Sequence, residues 1–284
     1  MAGAVPDSVT LRLATRGSAL AIWQADHVAS LVRAAAAARG IDVSIEKVVV
    51  ETMADQRLDI PIDAMGGKGV FVKEVQAAVP ERGDVRDVLV GSTIDGLPEG
   101  GHVATGSIRR RAQLAALRPD LVFSGLRGNI ATRLDKADAF DAIVMAAAAI
   151  ERLGLALDDR VVQVLEPSVM LPQVAQGALV VECRRDDRVT LELLAAIEHE
   201  PSRRCVDAER AFLAELGGDC DLPVAAHAVM ADDGLAIDAL IAAPDGSVVL
   251  RDTRRCSIED GPVTGRAIAR HLLDDAGGSA LLQR

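Results

Sequence analysis

The sequence predicts an α/β protein with doubly wound domains, followed by a small C-terminal α+β domain with an antiparallel sheet. Three observations predict it. Short β-branched runs alternate with amphipathic helical runs through the first part of the chain, the signature of parallel strands with helices on both faces. After "LPQVAQGALVVECR" the alternation gives way to two helical stretches and three consecutive strand candidates. Aromatic residues are scarce, with four Phe, one Trp and no Tyr in 284 residues. Alanine, valine and leucine must therefore fill the interior, which suits close helix–sheet packing.

In chain order, "LRLAT" at Leu11 reads as a strand, followed by a long helical pattern from Ser18. "VSIEKVVVE" is the next strand and "VFVKEVQAAV" from Val70 reads as a helix. Strands at "VRDVLVG" and "HVATG", a helix from Ser107, a strand at "LVFSGL", a helix from Asn129 and a strand at "DAIVMA" complete the alternating part. Beyond it, "VTLELLAAIEH" and "RCVDAERAFLAEL" read as helices. "PVAAHAVM", "GLAIDALIAAP" and "SVVLRDTRRC" read as strands, with a hairpin turn at "PDGS" and a last helix from about Val263.

The formal net charge of -11 argues against nucleic acid, whose phosphates require a basic surface. The N-terminal "MAGAVPDSVTLRLATR" lacks a basic start followed by an apolar run, so no signal peptide is expected. The longest apolar run, "AIVMAAAAI", is too short to span a membrane. Cys183, Cys205, Cys220 and Cys256 are widely spaced, with no CxxC or Cys/His pairing that suggests a metal. A cytoplasmic protein with thiols is expected.

Against this acidic background, "TGSIRRRAQL" sets Arg109, Arg110 and Arg111 side by side. It is one of three segments with a common layout of strand, small polar or glycine turn, and helix start. The others are "LATRGSALA" and "SGLRGNIATRL". Ser18, Ser107 and Asn129 are suitable N-caps. Arg16 and Arg127 immediately precede a cap, while Arg109, Arg110 and Arg133 fall in the first turn or just after it. A cation there opposes the helix dipole, at a cost of about 0.3–1 kcal/mol each. Read singly, each arginine is equally a solvated surface residue. The threefold recurrence points to a polyanion held by arginines and helix N–H groups. With no Walker motif and no GxGxxG after a strand, carboxylates are favoured over a nucleotide.

Taken together, the chain resembles the porphobilinogen deaminase (hydroxymethylbilane synthase) family. The segments that carry the resemblance are "LATRGSALAIWQADHV", "MGGKGVFVKE", "ERGDVRDVLV", "TGSIRRRAQLAALRPDL", "LRGNIATRLDK", "DAIVMAAAAIERLGL", "LPQVAQGALVVECR", "AERAFLAELGGDC" and "APDGS", in the family's order over almost the whole chain. The resemblance implies two periplasmic-binding-protein-like domains with the active site between them, and a third domain whose cysteine anchors a dipyrromethane cofactor by a thioether. The boundaries it suggests are 1–83 with 176–197, then 84–175, then 198–284. The implied reaction joins porphobilinogen units head to tail with loss of ammonia. The implied state is a cytoplasmic monomer with no nucleic-acid or membrane partner.

The resemblance assigns cofactor contacts to Cys220, Lys68, Thr105, Ser107, Arg109, Arg110, Arg127 and Arg133. It assigns substrate contacts to Arg16, Ser18, Arg127, Arg133, Arg152 and Gln176. Arg111 is extra and is expected on the solvent side of its helix. Phe71 matches an aromatic beside the pyrrole rings, and reads equally well as a core residue. Cys220 is flanked by Asp219 and Asp221, which disfavour a thiolate. A single thioether attachment does not require one.

The match breaks at one place. The family carries a segment between "FVKEVQAAV" and "PERGDVRDV" with a His-Ser-x-Lys-Asp sequence, whose aspartate is the central catalytic group. Here "EVQAAVPERGD" runs straight through, and no such sequence occurs elsewhere. Asp55 in "TMADQ" matches a different family aspartate and is the remaining candidate. Asp219 replaces a glycine before the cysteine, Ala54 departs from the family's "TxGD", and Gly106 replaces a turn hydroxyl. Two functions are consistent with this pattern: a deaminase, or a divergent member that binds a polycarboxylate or tetrapyrrole precursor without turnover.

Overall fold

The computed structural model describes residues 8–50, 75–157, 159–217 and 222–282. The chain divides into two compact units, Met1–Arg82 with Leu179–Arg203, and Gly83–Ala178 with Arg204–Arg284.

The first unit opens with β1 (Ser8–Thr15), α1 (Ala19–Ala37) and β2 (Asp42–Val49). β1 and β2 pair in parallel, from Ser8 opposite Asp42 to Thr15 opposite Val49. β1 alternates exposed and half-buried positions, turning Leu11 and Leu13 inward. α1 buries Ala25, Val28, Ala29, Val32 and Ala36, the three-and-four spacing of one helical face. Ser18 caps it by accepting from the Ala21 N–H at 3.3 Å. The expected helix at "VFVKEVQAAV" is corrected: its described part is a strand, β3 (Val75–Ala78), antiparallel to β9 (Val181–Arg184). α5 (Arg188–Ala195) contributes Leu193 and Leu194 to a core with Val28, Val32, Ala78 and Leu179. Cys183 lies in β9, as expected of a small apolar residue.

The second unit holds a five-stranded sheet of β4 (Asp87–Val90), β5 (His102–Ala104), β6 (Val122–Ser124), β7 (Ala142–Ala146) and β8 (Val162–Leu165), in the order β6-β5-β7-β4-β8. β5 is parallel to both β6 and β7, but β4 runs antiparallel to β7 and β8. The expected all-parallel sheet is thus a mixed one. Both faces are covered. Leu89, Val103, Ala142 and Val144 pack with Leu114 of α2 (Ile108–Leu117) on one face. Val88, Val90, Ile143 and Met145 pack on the other with Ile130 and Leu134 of α3 (Ile130–Asp135). All four residues of β4 are buried, so its leading aspartate is buried with them.

The same unit contains an antiparallel sheet of β10 (Val224–Ala231), β11 (Gly234–Ala242) and β12 (Val249–Cys256). One face packs on α6 (Glu200–Glu215) and α7 (Gly261–Arg270) through Ala208, Phe212, Ala226, Ala228, Ile237 and Ile268. Ala225, Leu240 and Ala242 instead meet Ala112 of α2 and Leu171. The hairpin at "PDGS" rests against α2 as well. Gly246, with φ +76°, leaves no room for a Cβ, which would lie 2.6 Å from the Ala112 carbonyl. The helix that bears the arginines is therefore held from two sides.

Candidate functional site

Because β5, β6 and β7 run parallel, their C-terminal ends open on one edge of the sheet. The antiparallel β4 brings its first residue, Asp87, to that same edge, opposite Ala146 at the end of β7. Such an edge is where ligands bind in open α/β sheets. The turns leading into α2, α3 and α4 (Ala147–Arg152) rise from it.

The first turn carries Thr105, Gly106 and Ser107. Thr105 is buried, and its hydroxyl accepts from the Ser107 N–H at 3.2 Å. Gly106 lies so close to Leu126 that a Cβ would stand 2.8 Å from that residue's carbonyl oxygen. Ser107 caps α2 by accepting from the Arg110 N–H at 3.4 Å.

The three consecutive arginines diverge. Arg111 is exposed and lies over the Phe123 ring, 6.0 Å from its centroid, on the solvent side as expected. Arg109 is 2% exposed, and its Nη2 donates to Asp87 Oδ2 at 2.7 Å while Nη1 donates to the Leu171 carbonyl at 2.5 Å. Arg110 donates through Nε and Nη2 to Asp87 Oδ1, at 3.1 and 2.8 Å, and through Nη1 to the Val144 carbonyl. Gln113 secures Leu171 from the other side, accepting from its N–H at 2.7 Å and donating to its carbonyl at 3.0 Å. The carboxylate that offsets the misplaced charge of Arg109 and Arg110 is therefore one of the protein's own. Sequence reasoning missed Asp87, whose signal is a charged residue at the head of the apolar run "DVLV".

Gln176 joins the same cluster, its Nε2 donating to Asp87 Oδ1 at 3.0 Å and to the Val85 carbonyl at 2.6 Å. Burial alone would raise the Asp87 carboxyl. The charges of Arg110 and Arg109, with hydrogen bonds from Arg109 and Gln176, outweigh it and hold the group below the ordinary carboxylate range. So pinned and so acidic, Asp87 is poorly placed to carry a proton near neutral pH.

Around this anchored pair lie further cations. Arg133, half-buried, donates through Nε to the Gly128 carbonyl at 2.9 Å. Burial, and then the charge of Arg110, lower its proton affinity. Arg152 donates to the Gly177 carbonyl at 2.5 Å and is likewise lowered by burial, against the opposing charge of Glu151. Arg127 is exposed in the turn before Asn129, which caps α3 by accepting from the Thr132 N–H at 2.9 Å. α3 is six residues long, with Arg127 before its cap and Arg133 in its last turn.

The structure thus brings Thr105, Ser107, Arg109, Arg110, Arg127, Arg133, Arg152 and Gln176 into one unit, and Asp87 organises three of them. Arg16, exposed, and Ser18 belong to the first unit, at the junction of β1 and α1. Asp55, Lys68, Phe71 and Cys220 lie outside the described residues. Among the described residues no cluster of His, Cys, Asp or Glu could hold a metal ion, and no helix is long and apolar enough to cross a membrane. With Arg109 and Arg110 paired to Asp87, a ligand bearing carboxylates would meet this edge at Arg133, whose cation is opposed by burial and by the charge of Arg110.

Two family models match the chain. One, described as porphobilinogen deaminase, dipyromethane cofactor binding domain, matches residues 11–80 and 75–192. The other, porphobilinogen deaminase, C-terminal domain, matches residues 203–274. The porphobilinogen deaminase of Nitratidesulfovibrio vulgaris strain Hildenborough is 40% identical over 305 aligned residues, covering 95% of each chain. The chain belongs to the porphobilinogen deaminase family. The enzyme of that name from strain DP4 matches to the same extent. Among solved structures, a nutrient-binding protein from Burkholderia cenocepacia bound to methionine is 12% identical at a TM-score of 0.39, covering 73% of this chain and 96% of that one. This deaminase-family chain carries the family's dipyrromethane cofactor-binding domain.

Proposed function

We propose that this chain is a hydroxymethylbilane synthase type transferase, joining porphobilinogen units head to tail with loss of ammonia in tetrapyrrole (porphyrin) biosynthesis. The observation that carries the reading is the arginine-rich sheet edge built on Asp87, in a chain of this family. Each porphobilinogen ring bears an acetate and a propionate arm, so the growing product is a polycarboxylate that such an edge suits.

Cys220 would carry a dipyrromethane through a thioether, and that group would supply a free pyrrole carbon for chain growth. Thr105, Ser107, Arg109, Arg110, Arg127 and Arg133, with Lys68, would hold its carboxylates. Arg16, Ser18, Arg127, Arg133, Arg152 and Gln176 hold those of the incoming substrate. The Asp87 pairing fixes Arg110 before any ligand arrives, so binding costs little side-chain reorganisation. We place the protein in the cytoplasm as a monomer, in three domains: 1–83 with 176–197, 84–175, and 198–284.

A second reading, binding without turnover, is favoured by one observation. The sequence passes through "EVQAAVPERGD" without the His-Ser-x-Lys-Asp segment, and the cofactor-domain match falls into two stretches overlapping at residues 75–80. The alignment to the Hildenborough enzyme is also longer than this chain, so it includes positions that the chain skips. Asp55 is the remaining carboxylate candidate for the missing role. Loss of a general acid/base slows a reaction by about 10²–10⁴.

Incubation of the purified protein with porphobilinogen, with its consumption and the ammonia released both measured, tests the proposal. Slow consumption with stoichiometric ammonia supports the transferase. Binding with no consumption supports the second reading, and failure to bind porphobilinogen sinks both.

A further inference from the structure

We propose that Glu209, a buried carboxylate away from the arginine edge, is a positioning residue that sets Gln176 onto Asp87 by holding Ala175 in a left-handed backbone conformation. Its consequence for ligand binding rests on the function proposed above; the geometric claim does not.

Glu209 is fully buried on α6. Its Oε2 accepts from the Ala175 N–H at 2.7 Å and its Oε1 from the Ala228 N–H of β10 at 2.8 Å. Both oxygens thus face donors from separate segments, a demand that an acceptor-only carboxylate meets and an amide cannot. Ala175 has φ +60° and is the one non-glycine residue with positive φ among the described residues. Alanine resists that region because its Cβ crowds the following carbonyl, so the conformation persists only where its surroundings enforce it. The bond from Glu209 to the Ala175 amide is such a restraint.

The restraint matters because of the residues next to Ala175. Turn bonds from Gln176 N–H to the Gln173 carbonyl and from Ala178 N–H to the Ala175 carbonyl fold the loop around it. The Gln176 side chain then reaches Asp87, which holds Arg109 and Arg110. The Gly177 carbonyl accepts from Arg152 and from the Gly83 N–H. One backbone conformation therefore sets the partners of both Asp87 and Arg152. A relaxed Ala175 would swing both contacts away.

The test measures exchange of the Arg110 Nε–H with water by nitrogen-edited NMR, a readout that needs no ligand. Glu209→Gln is expected to speed this exchange by about tenfold or more, because it turns an amide donor toward a backbone donor. Adding Ala175→Gly to Glu209→Gln is expected to bring exchange back to within about twofold of the parent, because glycine adopts positive φ unaided. Ala175→Val, with Glu209 intact, is expected to speed exchange as well, and decides the matter if Glu209→Gln does not fold. Unchanged exchange in Glu209→Gln or in Ala175→Val overturns the proposal. So does a rise in Glu209→Gln that Ala175→Gly fails to reverse, which would mark Glu209 as a general packing element. Porphobilinogen affinity should track the exchange rates. A parent protein that binds no porphobilinogen overturns the proposed function and leaves the exchange test of Glu209 intact.

Discussion

Asp87 Oδ1 accepts two hydrogen bonds from the Arg110 guanidinium, while its Oδ2 accepts from Arg109 at 2.7 Å. One fully buried carboxylate thus pairs with two neighbouring cations and leaves the cluster with a net positive charge. Removing it strands both. Asp87→Ala should destabilise the protein by about 3–5 kcal/mol, measured by urea unfolding. A loss below about 1 kcal/mol would mean that the pair finds another counter-ion.

The same carboxylate sets an acid limit. Its folded pKa is depressed, as is that of Asp84 through its hydrogen bonds from Arg86. Each contribution is complete above the unfolded carboxylate value near ~4 and disappears as pH falls through the lower folded value. The unfolding midpoint should drop steeply below about pH 4, and Asp87→Asn should flatten that part of the profile. An identical slope in parent and variant would remove Asp87 from this account.

Gly106 stands where a Cβ would press on the Leu126 carbonyl at 2.8 Å. The obstacle is backbone, so it cannot swing aside. Gly106→Ala is expected to cost about 1–3 kcal/mol, read as a lowered thermal midpoint. Ser107→Ala next to it should cost about 1 kcal/mol through the lost cap of α2.

Arg133 offers a separation of binding from stability. Burial and the charge of Arg110 both disfavour its cation. Arg133→Ala should leave unfolding free energy unchanged or slightly improved, yet weaken porphobilinogen binding by about tenfold or more, as expected for a lost charge-assisted pair. Calorimetric titration beside thermal unfolding checks both halves. Undiminished binding would remove Arg133 from the site.

Local features of this fold are legible in the sequence. Ser18, Ser107 and Asn129 cap the helices assigned to them because a cap is decided within four residues. Of the three C-terminal strands only β12 alternates exposed and half-buried positions, while β10 and β11 are buried along most of their length because both of their faces are covered. β3 escapes a sequence reading because "VFVKEVQAAV" satisfies a helical spacing, and the pairing that makes it a strand comes from β9, a hundred or so residues later. The reversed direction of β4 has no local signature either. Asp87 gives little sign of its role because its partners lie 22 and 23 residues on in sequence, and its burial becomes evident only once α2 packs over β4. Glu209 leaves a faint trace, an acid among the buried Cys205, Ala208 and Phe212 at helical spacing.

The most direct measurement is the intact mass of the protein purified from a host that makes porphobilinogen. A mass above that of the bare chain by one dipyrromethane, lost in Cys220→Ser, is the predicted result. A bare mass in the parent, with no gain on incubation with porphobilinogen, would contradict the claim that this arginine-lined edge is built for a tethered polycarboxylate.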